Sequence, residues 1–338
     1  MYSRRFRRSV TVRISGPQIV LLGTLVLVVS GFGRPTAAAE RSVNFSAILD
    51  AHTRTTFRAV ADYVKGHPQA ADADSAYRWL FETAEKHALE PDAIELAERY
   101  LRRKNATKAV TSLARLVHGV GLAKSGHIKE ALDDFDAHIQ AAGLRAANQS
   151  IDFAVLLSAQ AQLAGDVQTA RNIWERLSGK FLLNPYVRRY CEIKLRKLHL
   201  LGKPAPAIGG KDLSGKPIRL ADYRGKVLLV DFWGTNCPPC LAAFPDMKRM
   251  YAEFHPKGLE TVGISLDQNA DVIGEFQKTW KLPWRLALGQ SERGGNLDRY
   301  QVVTIPSSFL VDRKGNIAYV DLIGPDLRRA ADKLLKAK

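Results

Sequence analysis

Two cysteines stand three residues apart in Asp231-Phe232-Trp233-Gly234-Thr235-Asn236-Cys237-Pro238-Pro239-Cys240, where an apolar run gives way to a helix-starting pattern. That spacing suits thiol–disulfide exchange. Proline is tolerated in a helix's first turn, where amide hydrogens lack intrahelical partners, so Pro238 and Pro239 start a helix with Cys237 at its edge. The helix dipole and free amides there stabilise a thiolate, the form that attacks disulfides. Cys240, one turn on, can then resolve the mixed disulfide and leave a Cys237–Cys240 bridge. The same spacing also serves half of a zinc site, for which the chain offers Cys191 and scattered histidines. The strand before the motif and the Pro-Pro within it favour the redox reading. It needs no metal and no cofactor beyond the redox-active pair.

These thiols must be positioned by the elements around them. Val227–Phe232 reads as a buried central strand after the Gly225-Lys226 turn, and Cys237–Phe254 reads as the helix. Asp231 sits inside that strand, where a carboxylate is costly unless paired or protonated. Facing the buried thiol it could take the proton of Cys240; the other reading is a strand-end aspartate bonded to backbone. Farther along, Ile218–Leu220 and Leu259–Leu266 read as strands, Asp271–Trp280 as a helix and Leu286–Leu288 as a short strand. Asn296–Tyr300 reads as a helical turn, Ser307–Val311 and Asn316–Val320 as a hairpin, and Asp326–Ala337 as the last helix.

From about Lys203 onward the chain resembles the TlpA/ResA-like thiol:disulfide oxidoreductase family. The resemblance is carried by Gly202-Lys203-Pro204-Ala205-Pro206, Leu213-Ser214-Gly215-Lys216-Pro217-Ile218-Arg219-Leu220 and Tyr223-Arg224-Gly225-Lys226-Val227. Phe232-Trp233, Cys237-Pro238-Pro239-Cys240, Ile305-Pro306-Ser307-Ser308-Phe309-Leu310-Val311-Asp312 and Gly315-Asn316-Ile317 complete it. It implies a thioredoxin-like α/β fold, with an inserted strand and helix over about Gln268–Leu288. Cys237 becomes the nucleophile and Cys240 the resolving thiol. Ile305-Pro306 matches the family's cis-proline position, which with Trp233 would serve the substrate side of the site. Disulfide-containing proteins become the substrates, and a membrane electron donor is implied if the protein reduces them. Two positions depart from the pattern. The family's glutamate three residues after the second cysteine is Ala243, which leaves Asp231 as the base, and its tryptophan before the nucleophile is Asn236.

The remaining chain has a different character. Residues 1–39 read as an export signal: Arg4, Arg5, Arg7, Arg8 and Arg13 lead into an apolar stretch, with Ala37-Ala38-Ala39 for cleavage. Residues 19–32 could instead stay as a membrane anchor. Residues 40–200 are rich in Ala, Leu, Glu, Arg and Lys and read as helices throughout. Gly126–Leu132 followed by Phe135 recurs 39 positions on as Gly165–Ala170 followed by Trp174, and more weakly as Ala88–Ala93 followed by Ala97. This resembles degenerate tetratricopeptide hairpins, a stack that serves either as a partner-binding surface or as a spacer. The fold class is therefore multidomain, an all-α helical-hairpin domain over 40–200 followed by the thioredoxin-like domain over 203–338.

The 338 residues carry a net charge of +16, but no basic stripe interleaved with aromatics, so nucleic acid is not an expected partner. Cys191, alone in an apparently helical run, reads as a buried small residue or as a regulatory thiol. A peroxiredoxin-type peroxidase is disfavoured, since its Pro-x-x-x-Thr-x-x-Cys pattern is absent: Thr235 stands two residues before Cys237 rather than three. A scaffold acting through the helical part is the other alternative.

Overall fold

The computed structural model describes residues 45–143, 147–289 and 294–337; the expected export signal over 1–39 lies outside them. Among the described residues eight helices come first: α1 Phe45–Gly66, α2 Ala73–His87, α3 Glu90–Leu101, α4 Lys108–Lys124, α5 Ile128–Ala141, α6 Ala147–Ala164, α7 Val167–Lys180 and α8 Pro185–Leu198. Three hairpins, α2–α3, α4–α5 and α6–α7, lie where the three sequence segments fall. Each turn carries a left-handed residue, Ala88, Gly126 or Gly165. The small residues Ala93, Ala131 and Ala170 and their partners Ala97, Phe135 and Trp174 are all buried. Side-chain caps mark two starts: Asp166 accepts from the Thr169 amide and Asn184 from that of Val187. No described helix is long and apolar enough to cross a membrane.

Strands then alternate with helices: β1 Val227–Trp233, α9 Pro238–Phe254, β2 Leu259–Ser265, α10 Ala270–Trp280, β3 Arg285–Leu288, α11 Asn296–Arg299, β4 Ser307–Val311, β5 Ile317–Val320 and α12 Gly324–Lys336. They form a five-stranded sheet in the order β3-β2-β1-β4-β5. β1 pairs in parallel with β2 and antiparallel with β4, placing Asp231 between Gly263 and Ser308. Ile218–Leu220 is not a strand. Pro217 lacks an amide hydrogen, so pairing there stops at one isolated bridge to Lys211 and a bond from the Ile218 amide to Gly210, after which Leu220 opens a short 3-10 turn.

The boundary near residue 202 divides the secondary structure but not the core. A single apolar cluster runs from Phe81, Phe135 and Trp174 to Leu228, Val230 and Phe232 on one face of the sheet. The other face of β1, with Leu229 and Trp233, packs against α9, α10 and α12 through Phe244, Ile273 and Ala330. Residues 52–338 accordingly form one compact unit.

Buried polar contacts complete this joint. Gln162 on α6 treats β5 as a strand partner: its amide nitrogen donates to the Val320 carbonyl (3.2 Å) and its amide oxygen accepts from the Val320 N–H (3.0 Å). The segment after α8 adds to the same edge, the Gly202 amide donating to Ile317 and the Ile317 amide to Lys203. A sheet edge that would otherwise offer unpaired groups is thus closed from within the chain. Gln160 donates to Asp326 (2.7 Å) near the start of α12.

Replacing Gln162 by Met keeps the volume and orphans two buried backbone groups of Val320. Each orphan costs about 1–3 kcal/mol, so urea unfolding of Gln162→Met should show a loss of several kcal/mol, with the m-value unchanged. A loss under about 1 kcal/mol would mean that the edge is not sealed this way.

Candidate active site

β1 is buried along its whole length and delivers the chain to the N-terminus of α9. The intervening turn is held from β2. Asp267 accepts from the Thr235 amide (3.1 Å), the Thr235 hydroxyl (2.7 Å) and the Ser265 hydroxyl (2.5 Å), and the Leu266 amide donates to the Trp233 carbonyl. Cys237 caps α9, and its sulfur lies 2.03 Å from that of Cys240 in a disulfide. Because Pro238 and Pro239 have no amide hydrogen, the first donor in the helix is the Cys240 N–H, which points at the Cys237 sulfur at 3.3 Å.

Asp231 lies on the face of β1 that carries Leu229 and Trp233, the face covered by α9 and Cys240. Among the described residues nothing donates a hydrogen bond to its carboxylate, and burial pushes its pKa up to about 7. The residue beside it on β2 is Gly263, where a Cβ would stand 2.7 Å from Leu286 Cδ2 and 3.0 Å from the Trp233 indole nitrogen. The glycine leaves room for the indole nitrogens of Trp233 and Trp284 on this part of β2.

Trp233 is fully buried against Phe244 and Phe276. It supports the site from below, and its assignment to the substrate-contacting side is corrected: a ring with no exposed surface has none to offer. Pro306 follows a cis peptide bond after Ile305, and the pairing of Ser307 with Phe232 brings this loop beside Trp233 and Gly234. Ile305 Cδ1 would lie 3.1 Å from a Cβ at Gly234. A groove of about 490 Å³ opens there, lined by Gly234, Asn236, Leu266, Asp267, Val272 and Ile305 among others. Asn236, where the family has tryptophan, therefore lines the rim, and Ala243 carries no acid.

Asp267 was not singled out from sequence. Its signal was available, because it ends a strand parallel to β1, and the carboxyl ends of neighbouring parallel strands converge on one site. Cys191, the third thiol, is fully buried in α8, and burial pushes its pKa up to about 12. Among the described residues no group of three or more His, Cys, Asp or Glu side chains is placed to hold a metal ion.

A disulfide at the mouth of a helix, fed by the central strand of a mixed sheet and faced by the Ile305-Pro306 loop, defines a thioredoxin-fold dithiol protein. Residues 201–320 match the AhpC/TSA family. ResA, a thiol-disulfide oxidoreductase of Bacillus thuringiensis subsp. konkukian, is 32% identical over 137 residues, which span 40% of this chain and 77% of that one. The same-named protein of Bacillus anthracis is 31% identical, with 40% and 77% covered. Among solved structures, the thioredoxin domain of a thiol-disulfide oxidoreductase from Bacteroides vulgatus is 34% identical and covers 40% of this chain and 98% of its own, at a TM-score of 0.38. The chain belongs to the ResA-like thiol-disulfide oxidoreductases.

Two tests follow from the buried groups. In the unfolded chain the Asp231 carboxyl titrates near pH 4, so between about pH 4 and pH 7 the folded state holds a proton that the unfolded state releases, and stability falls as pH rises through that window. Asp231→Asn removes the dependence. The variant should gain on wild type by up to roughly 4 kcal/mol by pH 8, read from denaturant unfolding of the disulfide form; parallel pH profiles would contradict the buried, uncompensated carboxyl. Iodoacetamide at pH 8 should label Cys237 of the native reduced protein and leave Cys191 untouched until guanidinium is added. Labelling of native Cys191 would restore it as a reactive thiol.

Proposed function

We propose that this protein reduces disulfides of exported proteins outside the cytoplasm. The observation that carries the direction is the proline pair. An oxidant is strong when its reduced form is stabilised, and that stabilisation comes largely from amides around the nucleophilic sulfur at a helix start. Here two of the first three amide hydrogens are missing, and only that of Cys240 faces Cys237. The amide stabilisation expected of a helix start is thus reduced to one donor here, and a less stabilised thiolate makes the dithiol the better donor.

The exchange runs in two displacements. The Cys237 thiolate attacks one sulfur of a substrate disulfide, forming a mixed disulfide and releasing the first substrate thiolate. Cys240 then passes its proton to Asp231 and attacks the Cys237 sulfur, and the second substrate thiolate leaves. Two electrons have moved to the substrate, and the protein holds the Cys237–Cys240 bridge. A base with a pKa near 7 suits this transfer, since a substantial fraction of it is ionised at neutral pH and it does not outcompete the thiol. Ile305 and Pro306 hold an extended segment of the substrate along the loop edge. Regeneration requires a dithiol donor, which outside the cytoplasm implies a membrane protein carrying electrons across. The stretch 1–39 is the expected export signal, and the ResA relatives support the assignment of activity.

The deciding measurement is the reduction potential of the Cys237–Cys240 couple in the full chain, equilibrated against defined thiol buffers. A value near about −270 mV supports a reductase, whereas one near about −120 mV reverses the direction. Asp231→Asn should slow resolution of the mixed disulfide by about a hundredfold or more while leaving its formation intact; an unchanged resolution rate removes Asp231 from the role of base.

A further inference from the structure

The loop before β4 is tied down by a residue from the helical half. Among the described residues Val303, Thr304 and Ile305 make no backbone hydrogen bond to other backbone groups, so their polar groups are free for an incoming strand and the loop depends on its ends. On one side, Tyr300 is buried and its hydroxyl donates to the Pro206 carbonyl (2.7 Å). On the other, Ser307 follows Pro306 directly. Its hydroxyl accepts from the Lys197 ammonium (2.7 Å) and donates to Asp321 (3.0 Å).

Lys197 lies on α8 with 1% of its surface exposed, and it also reaches Asp321 at 3.0 Å, while Lys194 reaches the other oxygen of Asp321 at 2.7 Å. Asp321 follows β5, and its amide donates to the Ser308 carbonyl. Ammonium, hydroxyl and carboxylate thus form a closed triangle beneath the first residues of β4. An ion pair this deep is weak evidence for stability, because desolvation cancels most of its attraction and apolar residues of the same volume often serve as well. Its distinctive property is directional, since it fixes Ser307 and therefore the peptide that follows Pro306.

We propose that Lys197 is a positioning residue for disulfide exchange, holding Ser307 and through it the Ile305-Pro306 loop in the geometry that receives protein substrates. The helical half thereby contributes to the substrate side of the site. This rests on the exchange activity proposed above. Small disulfides that reach Cys237 without lying along the loop do not need the clamp, whereas protein disulfides do.

The test compares full-length wild type, Lys197→Met and Ser307→Ala on two substrates: insulin, in turnover with dithiothreitol as the regenerating dithiol, and the small aromatic disulfide 5,5′-dithiobis(2-nitrobenzoate), in single turnover with the pre-reduced protein. Methionine keeps the apolar stem and removes the ammonium. Lys197→Met should raise KM for insulin by about tenfold or more, as expected for loss of a positioned substrate, with kcat and the small-disulfide rate within about twofold of wild type. Ser307→Ala, a milder change that keeps both ions, should raise KM for insulin by roughly three- to fivefold, and it decides the matter if Lys197→Met does not fold. An unchanged KM in the folded variants overturns the inference, as does an equal loss on both substrates. Wild type that reduces neither substrate would instead overturn the exchange activity itself.

Discussion

A strand buried on both faces must be covered on both, and β1 imposes that demand on the molecule. All seven of its residues are buried, so the thiols at its end can sit at a defined place only if each face is packed. One face is closed by α9, α10 and α12, the elements that follow β1 in sequence. The other joins the core built by the preceding helices. The site is therefore held between the two halves, and rigidity at Cys237 is inherited from packing that reaches residues more than a hundred positions away.

Within that packed setting the chemistry is set by what is missing as much as by what is present. The helix start lacks two amide hydrogens because Pro238 and Pro239 occupy its first positions, and the side of α9 lacks an acid because Ala243 stands there. Both absences weaken the local means of stabilising a sulfur anion or accepting its proton. On the proposed mechanism Asp231 offsets the second from a different element, at the cost of burying a carboxyl with no ion partner. Desolvation brings its pKa to about 7, close to where a proton acceptor for a thiol is useful.

What was legible in the sequence was local. The cysteine pair, the apolar strand before it, the prolines that start α9 and the left-handed turns ahead of Ala93, Ala131 and Ala170 each lie within about ten residues, where spacing and residue type have direct geometric meaning. Lys197 to Ser307, Gln162 to Val320 and Asp267 to Thr235 were not legible, since each joins residues that only the tertiary fold brings together. One signal was present but unread: α6 is apolar or small nearly all round, with Phe153, Leu157, Ala159 and Ala161 all buried, and a helix without a polar face is an interior helix. That pattern places α6 between the layers. The strand expected at Ile218–Leu220 failed for a local reason: Ile218 is buried as a strand residue would be, but Pro217 before it lacks the amide hydrogen that would continue the pairing.

The kind of joint between the halves bears on what the helical half is for. A spacer needs only an apolar seam, which tolerates sliding and substitution of similar volume. The seam here also carries Gln162 matched to both groups of one peptide, Gln160 on the first turn of α12, and two lysines sharing one carboxylate under Ser307. Buried polar groups of this kind are satisfied in one arrangement and are costly in any other. Such a joint adds little net stability over an apolar one, but it selects a single register between α6, α8 and the β4–β5 hairpin. The element that gains from a fixed register is the loop entering β4, whose backbone, on the proposed function, has to match that of an extended substrate. On that reading a helical half joined in this way acts as the back wall of the site.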